Sequence, residues 1–189
     1  MNNYDLNTAD KQSSFDLIPA KTIVKAIMTI RPGGQGDGGW LTDSKTSDAQ
    51  MISGEFVVTE GEYAKRRWWQ YMVISGGKQD AKGNSIAGNI SRQTLRAILE
   101  SARGINPDDI TPEAMAKRQI KSWGDFNGIE FICRIGVEKD KTGQYDDKNK
   151  ILEVITPDMK DYAPITQTMP QAAPQASASP AVNVPAWAQ

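Results

Sequence analysis

The run YAKRRWWQYMVI, residues 63–74, decides how this chain is read. It is rich in β-branched and aromatic residues, so it predicts a strand from about Arg66 to Ile74. Successive side chains of a strand point to opposite faces, so Trp68 and Trp69 cannot both enter one core. Trp69 aligns with Tyr71 and Val73 in the more uniformly apolar set, whereas Trp68 aligns with Arg66 and Gln70. A central Gln is costly to bury without partners, so the residues themselves favour Trp69 inside and Trp68 outside, the alternative being that the second ring packs under a loop.

Working outward, residues 20–31 (AKTIVKAIMTIR) alternate, with Val24, Ala26, Met28 and Ile30 on a dry face and Lys21, Lys25 and Arg31 on a mixed one. A glycine-rich loop, PGGQGDGGW, leads to a second strand at about 51–59 that puts Ile52, Phe56 and Val58 on one side. After the Trp-containing strand comes GGKQDAKGNSIAGN, a flexible connection. A helix follows, with Leu95, Ile98, Leu99 and Ala102 at helical spacing, Asn89 or Ser91 as cap, and Gly104 just past its end. A second short helix has Thr111 as N-cap and Pro112 at its first position. Two more strands, GIEFICRIGVE and NKILEVIT, flank the charged hairpin loop KDKTGQYDDK.

The order strand, strand, strand, helix, strand, strand is that of the five-stranded OB barrel, with its helix between strands 3 and 4. That fold binds oligonucleotides and oligosaccharides on the face of strands 2 and 3. The expected fold is therefore mainly β with α, an OB-fold-like barrel over residues 15–162. Residues 1–14 are read as a flexible N-terminus. Residues 163–189, rich in Pro, Ala and Gln and free of charge, are read as a disordered tail ending in VPAWAQ.

Composition narrows the chemistry. One cysteine and no histidine among 189 residues exclude an internal disulfide, the usual zinc and iron–sulfur ligand sets, and Ser-His or Cys-His nucleophiles. The chain is read as a non-enzyme without cofactors. Asp108, Asp109, Asp146 and Asp147 fall in predicted loops, where solvated turn residues are the ordinary explanation. The glycine-rich loop lacks the Gly-Lys-Ser/Thr ending of a phosphate-cradling P-loop. No apolar run approaches the ~20 residues of a membrane span and no leader pattern opens the chain, so a location in the bacterial cytoplasm is expected. The net charge is −1, yet residues 20–134 carry 16 Lys and Arg against 13 Asp and Glu.

Single-stranded nucleic acid is bound by aromatic faces interleaved with cations. The candidate contacts are Lys25, Arg31, Trp40, Lys65, Arg66, Arg67, Trp68, Trp69, Tyr71 and Arg134. Trp40 and Trp123 are read as either loop anchors or stacking platforms. Arg92, Arg96 and Arg103 form a helical stripe in which Arg96 can pair with Glu100, which reads as a solvated face.

The segments FDLIPAKTIVKAIMTIRPGG, GEFVVTEGEYAKRRWW, ISRQTLRAILESARGI and NGIEFICRIGVEKDKTGQYDDKNKILEVI are similar, in that order, to a family of phage- and prophage-encoded proteins. The family is regarded as OB-fold, single-stranded-DNA-binding-like proteins of replication and recombination modules. Gly61, Tyr63, Arg66, Arg67 and Trp69 occupy its motif positions, whereas an aliphatic residue often stands where this chain has Trp68. The resemblance thus implies the reverse assignment, with Trp69 facing the ligand. It also implies sequence-tolerant binding and protection of single-stranded DNA in phage or mobile-element DNA replication and recombination. Replication or recombination proteins are candidate partners through the tail, and a homo-oligomer is a candidate assembly. The alternative is an OB-fold module that docks protein or RNA, with VPAWAQ as its docking peptide.

Overall fold

The computed structural model describes residues 16–140 and 142–165. The readings of the N-terminus and of the tail from residue 166 onward lie outside the described residues.

Among the described residues six strands form one antiparallel sheet: β1 (Ile23–Ile30), β2 (Thr42–Asp43), β3 (Gln50–Val58), β4 (Arg67–Ser75), β5 (Ile129–Glu138) and β6 (Lys148–Val154). β1 lies between β3 and β5; β3 also pairs with β2 and β4, and β6 flanks β5. The extra strand, β2, is two residues long and closes the glycine-rich loop, whose chain folds back through mutual bonds between the Gln35 and Leu41 backbones.

The alternation read from the sequence explains the core. Val24, Ala26, Met28 and Ile30 of β1 meet Ile52, Phe56 and Val58 of β3 and Ile129, Phe131, Cys133 and Ile135 of β5, all buried. The β4 assignment from the residues alone is overturned. Trp68 is the buried ring, 3 % exposed, and Trp69 is the exposed one at 49 %. Trp68 lies in register with Phe56 and stacks on it at 5.2 Å, with Met72 and Ile74 on the same inward side. The expected penalty of Gln70 is met differently: its Oε1 accepts the Ile151 N–H at 3.0 Å, so the amide has a partner on β6.

That bond spans the place where a closed barrel would need a ladder. Among the described residues no ladder joins β4 to β6, so the sheet is open there: the element order fits the expected one, but closure into a barrel is not shown.

Helix α1 (Ile86–Arg103) packs on β4, β5 and β6 through Leu95, Ile98, Leu99 and Ala102. It starts earlier than either Asn89 or Ser91 would allow. Ser85 is the cap: its Oγ accepts from Gly88 N at 3.0 Å and donates to Gly76 O at 2.6 Å, which ties the helix start to the end of β4. Gly88 permits the close approach, since a Cβ there would sit 3.0 Å from Ile74 O. Gly104 ends the helix in the left-handed region at φ 63°, as predicted. Helix α2 (Pro112–Lys117) has the expected Thr111 cap.

Arg92 and Arg96 of α1 are exposed and Arg96 pairs with Glu100, as read from the sequence, and the arginines of the stripe also staple the helix to its neighbours. Arg92 donates to Ile74 O, Arg96 to Pro107 O and Arg103 to Lys117 O and Gln119 O. Glu100, 3 % exposed, accepts from both Arg96 (2.8 Å) and Arg118 (2.7 Å), and Arg118 also donates to the carbonyls of Asn106 and Asp109. This network pins the segment between the helices. No helix among the described residues is long and apolar enough to cross a membrane.

Candidate nucleic-acid interface

The outward residues of β4 are Arg67, Trp69, Tyr71 and Val73, and strand alternation puts all four on one face. The pairing of β4 with β3 sets Glu55 opposite Trp69 and Ser53 opposite Tyr71, and β1 sets Thr29 beside Glu55. Trp69 and Tyr71 are 49 % and 66 % exposed. Two adjacent large aromatics left in water are the informative kind of surface, because burial of either would stabilise the fold.

Arg31, just past β1, reaches across β3 to this pair. Its guanidinium lies over the Trp69 ring at 5.5 Å, and its Nη2 donates to Glu55 Oε2 at 3.2 Å. Arg67 donates to the other carboxylate oxygen, Oε1, at 2.9 Å. One carboxylate therefore holds two guanidinium groups beside one indole.

A cleft of about 550 Å³ opens along β4 toward the start of β6. Arg31, Arg67, Trp69 and Tyr71 line one side, and Glu138, Asp147, Lys148 and Lys150 the other. Leu17 also borders it, placed by Asn149, whose side chain accepts from Ile18 N at 2.9 Å and donates to Ile18 O at 2.8 Å. Four cations thus face Glu138, Asp147 and the adjoining Glu55, so charge is nearly balanced and the aromatic surface is the distinctive feature. Outside the cleft lining, Asp140 orders the loop before β6 by accepting the N–H groups of Thr142, Gln144 and Tyr145 and the Thr142 hydroxyl. These bonds, that of the Thr142 side chain foremost, hold its carboxyl at a pKa of about 2.

Of the ten candidates, Arg31, Arg67, Trp69 and Tyr71 come together here, and Trp68 joins the wall while its ring stays in the core. Lys65 and Arg66 sit in the turn between β3 and β4, outside the cleft lining. Lys65 is in the left-handed region at φ 69°, and its N–H bonds to Val58 O. Lys25 lies toward the other end of β1, against Glu60 (3.8 Å) and Glu130 (3.6 Å). Arg134, opposite Ile23 in register, is held by Glu153 and Asp161, and those bonds raise its pKa.

Trp40 is a loop anchor. It packs against the core, and a Cβ on Gly124 would lie 2.5 Å from its ring, so indole and backbone are in close contact. Trp123 packs beside Phe126. Sequence reasoning missed Glu55, Lys148 and Lys150; the Lys-Asn-Lys alternation opening the last strand was a visible signal for the two lysines, but nothing local marked Glu55.

Among the described residues no group of three or more His, Cys, Asp or Glu is disposed to hold a metal ion. Cys133 is buried, and desolvation pushes its thiol pKa well up, which leaves it unreactive. No protein-family model matches this chain, and no curated protein sequence is similar to it.

Proposed function

We propose that this protein is a non-enzymatic, sequence-tolerant single-stranded-DNA-binding protein of a phage or mobile element, built on a partly open OB-type barrel. The observation that carries the proposal is the exposed Trp69–Tyr71 pair, flanked by Arg31 and Arg67 and bordering the cleft along β4. The strand order, with α1 between β4 and β5 and an interruption between β4 and β6, supports the barrel reading, because the OB fold is itself a partly open barrel.

Ring spacing favours a single strand over a duplex. Residues two apart on a strand are separated by roughly 6.7 Å, about twice the 3.4 Å rise of stacked bases. Bases seated on Trp69 and Tyr71 must be unstacked, which a duplex does not permit. Stacking contributes ~1–3 kcal/mol per base with little regard to sequence, and the cations supply phosphate contacts.

Intrinsic tryptophan fluorescence, titrated with oligo-dT, oligo-rU and duplex DNA at two salt concentrations, tests this. Quenching by oligo-dT that exceeds that by duplex, weakens with salt and disappears in Trp69→Ala supports the reading. No response to any nucleic acid, or affinity that is flat with salt, refutes it.

A further inference from the structure

Glu55 is a poor strand former, yet it stands mid-strand on the outward face of β3, directly opposite Trp69. Its side chain is only 14 % exposed, while those of Arg31 and Arg67 are 59 % and 55 % exposed. Each carboxylate oxygen takes one guanidinium, at 3.2 and 2.9 Å. An anion held between two guanidinium groups, each donating one N–H, is an arrangement in which arginines also bind a phosphate. The far wall repeats the pattern more loosely: Lys148 is 3.6 Å from Glu138, whereas Lys150 has no ion-pair partner among the described residues.

We infer that Glu55 is an internal competitor for phosphate: in the free protein its carboxylate occupies the guanidinium pair that the backbone of a bound single strand would engage. The inference rests on the single-strand reading and assigns the regulation of that same site. Binding here is an exchange of anions. A phosphate that meets Arg31 and Arg67 shares them with Glu55 or displaces it, so the two arginines deliver less than two charges to the ligand. The face keeps its aromatic stacking while its electrostatic grip is limited, which makes bound DNA easy to release.

The test compares the full-length wild-type chain with Glu55→Gln, which is nearly isosteric and removes the charge, in fluorescence titrations with oligo-dT across a salt series. The inference expects Glu55→Gln to bind about three- to tenfold more tightly at low salt, the effect of one unit charge several ångströms from a phosphate at a hydrated surface. It also expects the slope of log affinity against log salt to steepen by about 0.7, the increment for one further phosphate neutralised on a single strand. Glu55→Thr, a good strand residue, carries the same expectations should the glutamine variant fail to fold. Weaker or unchanged binding, or an unchanged slope, in a folded variant overturns the role of Glu55 while the single-strand reading stands. Absence of oligo-dT binding by the wild-type chain even at low salt refutes the single-strand reading itself, and the inference falls with it.

Discussion

Replacing Trp68 and Trp69 by alanine, one at a time, should separate folding from binding at two adjacent positions. Trp68 is 3 % exposed and stacked 5.2 Å from Phe56, so Trp68→Ala leaves a large cavity in the core beside Phe56. Substitutions of this kind destabilise by about 3–5 kcal/mol. The Trp68 Nε1 is buried without a partner among the described residues, and an unsatisfied donor already weakens the native state by about 1–3 kcal/mol, which places the expected loss near 3. The same orphan makes Trp68→Phe milder than its lost volume suggests. Trp69 is half exposed and its ring is covered by the Arg31 guanidinium, so Trp69→Ala should change stability by less than about 1 kcal/mol. It should nevertheless remove one stacking platform, worth ~1–3 kcal/mol, and weaken oligo-dT binding by about five- to 150-fold. Urea denaturation followed by far-UV circular dichroism reads the first quantity and fluorescence anisotropy of a labelled oligo-dT reads the second. Equal stabilities of the two variants would refute the assignment of faces. Undiminished binding by Trp69→Ala would refute the stacking argument.

Three further outcomes follow from the geometry. Glu100→Ala strips the shared carboxylate from Arg96 and the largely buried Arg118, and should cost about 2–3 kcal/mol in urea denaturation, since Arg96 can turn to solvent and Arg118 keeps its carbonyl partners; a loss under half a kcal/mol would refute the staple. Gln70→Leu leaves the Ile151 N–H without its acceptor, so amide exchange at Ile151 should accelerate while exchange within the β3–β4 ladder stays slow. The folded pKa of Asp140, about 2, lies below the ~3.9 of an unfolded aspartate, so the order it confers on its loop is complete above pH ~4 and fades as pH falls toward 2. The Gln144 and Tyr145 amide resonances should titrate with a midpoint near 2; a midpoint near 4 would contradict the bonding scheme.

The elements themselves are legible in the sequence because their signals are local. Alternation in 20–31, 51–59 and 129–137 identifies the inward faces of β1, β3 and β5, since it is a property of each segment alone, although it does not mark Ile132, which is buried on the other side of β5. Helical spacing finds the buried face of α1, and Thr111-Pro112 finds the start of α2. The start of α1 is not legible, because Ser85 competes with other good caps nearby and is chosen by its bond to Gly76 O and the seating of Gly88 on Ile74.

Within Tyr63–Ile74 the sequence by itself determined that the two tryptophans face opposite sides of the sheet, because alternation allows nothing else. Which is which depended on two contacts distant in the chain: Phe56 in register with Trp68, and the Ile151 N–H that satisfies Gln70. The charges follow the same division. Composition placed a modest excess of cations in the middle of the chain, but strand pairing decided that Arg31 and Arg67 meet over Glu55 at the exposed ring while Lys25 and Arg134 are held by acids elsewhere. A side chain's face is set by its own strand, whereas its neighbours are set by register with other strands, and register exists only once the sheet has formed.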